Sequence, residues 1–254
     1  MTQDKSDTSL IALSDPLTAL SLLSRLPLPA TDDARASEAA WAYPLVGFVI
    51  GALAAVIGAV AHGLGLPAAL CALLALTALV MLTGAMHEDG LADMADGLWG
   101  GWDREARLEI MRDSRIGTYG VVALVLSLSA RFAALWLLFE SGPALASAAL
   151  VGSGTLSRAA MPVLMAALPH AREDGLSHRV GRVTGLTASI AVAVASIIAV
   201  LTIGAGFFWA FIWGALVAFA LAMIAKRKIS GQTGDILGAS QQLVEITVLF
   251  VLLA

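Results

Sequence analysis

Long apolar runs alternate with short polar connections along the chain, at about 41–65, 68–86, 119–139, 144–168, 184–203, 206–225 and 236–254. At ~1.5 Å of rise per residue, each run is long enough to cross a hydrocarbon core about 30 Å thick. The pattern predicts an all-α fold: a polytopic membrane helical bundle with about seven transmembrane helices. The turn-like "GLGLP" makes the first two an antiparallel hairpin. Residues 10–30, "LIALSDPLTALSLLSRLPLPA", are apolar but broken by Asp15, Pro16, Arg25, Pro27 and Pro29. That suits a short N-terminal interfacial helix better than a span. Residues 1–9 are polar and expected to be disordered. The whole, 1–254, reads as a single integral-membrane domain.

The positions of the basic residues orient this arrangement, because Lys and Arg near span ends concentrate on the cytoplasmic side. Of the 15 Lys and Arg, only Arg131 and Arg158 lie within the apolar runs. All the others precede the first run or fall in the second, fourth and sixth connections. The connections near Leu66, "ESGP" and Gly204 carry none. Alternation predicts a cytoplasmic N-terminus, an outside C-terminus, and cytoplasmic loops at about 87–118, 169–183 and 226–235.

Composition agrees, with 59% hydrophobic and 13% charged residues and a mean hydropathy of +0.86. Such values lie well outside those of soluble domains and make the lipid bilayer a partner. A net charge of -4 without long runs of one sign gives no reason to expect nucleic acid as a partner. The 24 glycines suit close helix packing in lipid. Cys71 has no second thiol, which rules out an internal disulfide. The start "MTQDKSDTSLIALSDP" has no basic segment leading directly into an apolar core, so no cleaved signal peptide is expected and the first span serves as the insertion signal.

One segment concentrates the chemistry: "HEDGLADMADGLWGGWDREARLEIMRDSRIGTYG", beginning at His87. Asp89, Asp93 and Asp96 are spaced four and three apart, so a helix sets them on one face about 60° wide, with Glu88 on a neighbouring face. Three carboxylates stacked at the end of a span repel one another unless a cation lies among them. Hard oxygen ligands of this kind suit Mg²⁺, with phosphate completing the shell. The plainer alternative is a solvated acidic helix end. His87 falls on the opposite face from Asp93, which argues against metal ligation by it.

The rest of the segment, with Arg104, Arg107, Arg112 and Arg115 beside Asp103, Glu105, Glu109 and Asp113, reads equally as an amphipathic surface helix. In "DSRIGTYG", Ser114 and Arg115 precede glycines at a helix start, a turn that can hold phosphate. Arg131 and Arg158 must be paired or face a polar cavity, since an unpaired guanidinium in lipid costs at least ~2.5 kcal/mol. The loop "PHAREDGLSHRV" can close over a bound substrate or be merely solvated. In "SGQTGDILGASQQLVEI", Thr233, Asp235, Gln241, Gln242 and Glu245 begin the last run and need partners.

Together "RLPLP", "YPLVGFVIG", "HEDGLADMADGLWGG", "MRDSRIGTYG", "SRAAMP" and "GQTGDILGASQQLVE" resemble the cobalamin synthase family, the adenosylcobinamide-GDP ribazoletransferases. The likeness runs from about Ser24 to Glu245. It implies transfer of the adenosylcobinamide-phosphate moiety of adenosylcobinamide-GDP to α-ribazole or α-ribazole 5'-phosphate, with release of GMP, in the bacterial cytoplasmic (inner) membrane. It further implies Mg²⁺ on Asp89, Asp93 and Asp96, with Glu88 as supporting ligand or base. Phosphate or substrate would be bound by Arg115, Arg158, Ser114, Thr233 and Gln242, and Asp235 or His87 would position the nucleophile. CDP-alcohol phosphotransferases and intramembrane prenyltransferases also hold Mg²⁺ on helical aspartates, but this chain lacks the D-x-x-D-G-x-x-A-R pattern of the former. A secondary transporter would want its charges near the midplane and an inverted repeat, and neither is evident.

Overall fold

A computed structural model describes residues 9–29 and 35–254, so the disorder expected at the N-terminus lies, apart from Ser9, outside the described residues. The helices are α1 (Asp15–Leu23), α2 (Tyr43–Gly63), α3 (Ala68–Thr83), α4 (Met86–Gly100), α5 (Arg104–Ile110), α6 (Thr118–Ser141), α7 (Pro143–Ala167), α8 (Gly175–Val180), α9 (Gly185–Ile203), α10 (Gly206–Ile229) and α11 (Gly234–Val251). A short 3₁₀ turn, Glu38–Ala42, leads into α2. The all-helical bundle is as the apolar runs predict.

Against the about seven spans the apolar runs predict, length and hydropathy pick out five to six candidates. Among the described residues five helices are long and apolar enough to cross a membrane: α2 with its leading turn, α6, α7, α9 and α10. The pair α3 and α4 makes a sixth if counted as one broken span. Two physical causes account for the difference. Gly84 and Ala85 are both left-handed, at φ 65° and 57°, which ends α3 and turns α4 through 84°. And α11 is an interior helix, buried against α4, α7 and α10, whose polar residues lower its hydropathy.

The most extensive helix pairing, α2 on α7, depends on small residues. A Cβ on Gly47 would lie 2.0 Å from the Gly154 carbonyl oxygen, and one on Gly51 2.6 Å from that of Leu150. These glycines, four apart, let two backbones touch where lipid offers no hydrophobic drive to associate. Helix α1 is fixed through Asp15, whose carboxylate accepts from Arg35 Nε at 3.1 Å and Trp41 Nε1 at 2.8 Å.

The basic loops gather at one end of the bundle, as their alternation along the chain anticipates. Arg104 donates to the carbonyls of Ala171 (2.5 Å) and Ile229 (3.2 Å), and Arg107 to that of Lys228 (3.1 Å). Lys228 donates to the Leu98 carbonyl at 2.5 Å and lies 4.6 Å over the Trp99 ring. Arg104 and Arg107 thus close the free carbonyls at the C-terminus of α10, a structural task.

The α2–α7 contact gives a direct test. Gly47→Leu should destabilise the protein by about 1–3 kcal/mol or more through overpacking, while Gly63→Leu, with nothing within 4 Å of the added Cβ, should be neutral. Thermal unfolding in detergent measures both, and equal melting temperatures would contradict the packing argument.

Candidate active site

Helix α4 crosses α11 at backbone distance. A Cβ on Gly90 would lie 3.1 Å from Asp235 Cα, and one on Gly238 3.3 Å from His87 Cα. The crossing brings Asp89 and Asp93, one turn apart on α4, to the first turn of α11, where Asp235 sits. Burial deepens along the acidic face from exposed Asp89 through half-buried Asp93 to buried Asp96. Asp93 lies on α4, which is not among the five helices that qualify as spans on their own. Desolvation, then the charges of Asp235, Asp89 and Asp96, push its carboxyl up to about 7. Among the described residues no three Asp, Glu, His or Cys groups form a ready-made metal cage.

Beside this face is a cavity of about 230 Å³. Asp89, Asp235, Arg172 and Ser177 make its polar end; Leu22, Tyr43, Met161 and Met165 are among its apolar walls. Arg172 reaches it through a short parallel bridge between residues 170 and 232. There the Ala171 N–H donates to the Gln232 carbonyl (2.9 Å) and the Gln232 N–H to that of Pro169 (2.8 Å). The Ser177 hydroxyl donates to Gln232 Oε1 at 2.6 Å, tying α8 down over the cavity. Thr233 caps α11 by accepting from the Ile236 N–H (3.3 Å) and donates to Asp235 (3.0 Å). Arg172 Nη2 stands 3.4 Å from Asp235 Oδ2.

A second polar cluster occupies the bundle interior. Arg131 pairs with Glu88 at 2.8 Å and Glu245 at 3.4 Å. Gln242 donates to Glu88 (3.3 Å) and Gln241 (2.8 Å); Gln241 donates to Glu245 (2.5 Å) and to the Ser157 hydroxyl (3.1 Å). Arg158 is buried and donates to the Gly154 carbonyl of its own helix at 3.1 Å, within the field of Glu245 and Glu88. Glu88 therefore turns away from the acidic face, against the expectation of a supporting metal ligand or base. Gln242 and Arg158 likewise lie off the cavity wall, serving the neutralisation of buried charge. His87 is buried between α4 and α11, its Nε2 without a hydrogen-bond partner among the described residues.

Asp96 and the "DSRIGTYG" turn correct a further expectation together. The Gly117 and Gly120 N–H groups donate to the two Asp96 carboxylate oxygens at 2.7 and 2.9 Å. The helix N-terminus expected to hold phosphate thus holds the carboxylate expected on the metal. The reason is elementary: unsatisfied N–H groups and the positive end of α6 attract the nearest buried anion. Both glycines are required, since a Cβ at either would fall within 2.5 Å of an Asp96 oxygen. Arg115 lies on the surface bound to Asp113 at 2.6 Å, and Ser114 is exposed, so neither reaches the cavity.

Of the predicted residues, the structure brings Asp89, Asp93 and Asp235 together, with Thr233 beside them. Arg172 joins them from the loop read as able to close over a substrate, and Tyr43, Met161 and Met165, not singled out beforehand, supply walls. The only sequence signal for Arg172 was its place in a charged loop between two spans.

Comparison with known proteins adds a family-level result. The family model described as Cobalamin-5-phosphate synthase matches residues 15–253. An adenosylcobinamide-GDP ribazoletransferase of Bradyrhizobium diazoefficiens is 45% identical over 244 residues, covering 94% of this chain and 93% of that protein. Those of Azorhizobium caulinodans and Mesorhizobium japonicum are 46% and 44% identical, covering 93% and 94% of this chain and 94% and 92% of their own. No solved structure matches the chain.

The two fates of the aspartates are separable by stability. Asp96→Ala should cost about 1–2 kcal/mol, as loss of a helix cap does, whereas Asp89→Ala, which relieves carboxylate repulsion, should leave the melting temperature unchanged or raised. Equal losses in the two would deny Asp96 its capping role.

Proposed function

Because the chain belongs to the cobalamin-5-phosphate synthase family, we propose that it transfers the adenosylcobinamide-phosphate moiety of adenosylcobinamide-GDP to α-ribazole, or to α-ribazole 5'-phosphate, releasing GMP. The observation carrying this reading is the facing of Asp89 and Asp235 with Arg172 at the polar end of a largely apolar cavity. The ribose hydroxyl forms a new bond to the phosphorus that carries adenosylcobinamide. The phosphoanhydride bond to GMP breaks, its electron pair leaves on the GMP phosphate, and the hydroxyl proton passes to a carboxylate of the cavity. Such chemistry is carried by positioning and by neutralisation of developing charge.

Mg²⁺ suits this donor set. It is commonly held by one or two carboxylates and completed by water and phosphate oxygens, so it needs no closed protein cage. Asp89 and Asp93 would hold it, and it would neutralise the diphosphate. The raised Asp93 carboxyl supports this, since gathered carboxylates favour either a proton or a cation. Asp235, fixed by Thr233, is the better-placed proton acceptor, because His87 is buried behind the helix crossing. A volume of about 230 Å³ is below the ~300–1,000 Å³ of most ligand pockets. It suits the diphosphate and a sugar, leaving the corrinoid against the membrane edge near α1. The clustered basic residues at this end support a cytoplasmic-facing site in the inner membrane.

The test is to incubate purified protein with adenosylcobinamide-GDP, α-ribazole and Mg²⁺ and follow cobalamin and GMP; no product above a boiled-protein control would sink the reading. Asp89→Asn and Asp93→Asn should each lower turnover about a hundredfold or more without loss of fold, and chelation should abolish it. Asp93 is protonated below its raised value, so the cation must displace a proton there. Apparent Mg²⁺ affinity should weaken about tenfold per unit as pH falls below about 7, and level off above it. A constant affinity from pH ~6 to ~8 would contradict exchange of a proton for the cation at Asp93 in that range.

A further inference from the structure

The guanidinium of Arg172 is enclosed at the polar end of the cavity and incompletely matched. Nη2 lies 3.4 Å from Asp235 and Nε 3.3 Å from Asp174. Yet Nε and Nη1 are buried without a hydrogen-bond partner among the described residues. A guanidinium presents five N–H donors in a planar fork that matches two oxygens of one phosphate. Two off-axis carboxylates leave most of that capacity unused, and an unfilled buried donor is costly.

Its position is built. The bridge at residues 170 and 232 fixes the backbone just before it. Gly175, at φ +86°, folds the loop against the guanidinium, where a Cβ would lie 3.2 Å from Nη2. Asp174 is shared, its other oxygen pairing with Arg112 at 2.9 Å. Arg112, Asp174 and Arg172 form a row running from half-exposed surface into the cavity, with side-chain exposures of 52%, 57% and 12%.

We propose that Arg172 receives the diphosphate of the substrate, exchanging Asp174 for phosphate oxygens, while Arg112 provides a second cation at the mouth. The identity of the substrate rests on the transferase reading; the recognition of a diphosphate does not, and can be measured without turnover.

GDP with Mg²⁺ is the probe, titrated calorimetrically into the full chain in detergent, with melting temperatures recorded for every variant. Arg172→Ala should weaken binding at least about thirtyfold and Arg172→Lys about tenfold, because a point charge replaces the fork. Added guanidinium ion, far below denaturing concentration, should restore part of the affinity of Arg172→Ala. Asp174→Asn should tighten binding a few-fold, since it removes a competitor for the same donors; were Arg172 and Asp174 only a structural pair, it would weaken it. Wild-type affinity in Arg172→Ala, weaker binding in Asp174→Asn, or no GDP binding by the unmodified protein would each overturn the proposal. If Arg172→Ala fails to fold, Arg172→Lys and Asp174→Asn decide. Arg172-dependent GDP binding without cobalamin formation would sink the transferase reading alone, and turnover with Arg172-independent binding would sink this one alone.

Discussion

The close crossing of α4 over α11, at Gly90 and Gly238, is the constraint from which both polar regions of the molecule follow. Helix α4 has two tasks on two faces. Asp89 lines the cavity and Asp93 lies beside it within the field of Asp235, while Glu88 turns to Arg131 and Gln242. A side chain at either glycine would push the helices apart. Even a shift of a few tenths of an ångström there would be felt both by the acidic face beside Asp235 and by the pairing of Glu88. Unpaired charges in a low-dielectric interior are expensive, so the spacing of these two backbones bears on both polar regions.

The two polar regions differ in their balance. Inside the bundle, Arg131 and Arg158 face Glu88 and Glu245, a formally neutral set threaded by glutamines and serines. At the cavity, Asp89 and Asp235 line the wall with Arg172 and Asp93 lies close by, so that carboxylates outnumber the one guanidinium. A neutral cluster is complete and holds helices together. An unbalanced one is what the proposed cation and phosphate would complete. The distinction separates structural from chemical residues more surely than burial does, since Arg158 and Arg172 are both largely enclosed.

Local information was read well from the chain. Apolar runs located the helices to within a few residues, and the four-residue step from Asp89 to Asp93 set both on one face, as the helix does. The resemblance in "HEDGLADMADG" and "TGDILGA" pointed to the family that the full-length comparison supports. What the sequence concealed was long-range. Asp96 continues the same spacing, yet its partners are N–H groups 21 and 24 residues onward, on a helix whose approach only the fold determines. Glu88 meets an arginine 43 residues away. Arg172 owes its place to a two-residue bridge across the bundle end, which leaves no periodic trace. The seventh apolar run carries Asp235, Gln241, Gln242 and Glu245, which lower its hydropathy, and the partners of these residues come from other helices.

The position of α11 in the chain has a consequence for biosynthesis. It supplies Asp235 to the cavity and Glu245 to the interior, and it is translated after every other helix described here. A nascent chain that stops short of it holds Arg131 and Arg158 against Glu88 alone, with an excess positive charge inside the bundle and a cavity lacking one wall. Arrival of α11 removes both defects at once. One helix, the last in chain order, thus brings the interior its second carboxylate and the cavity its Asp235 wall.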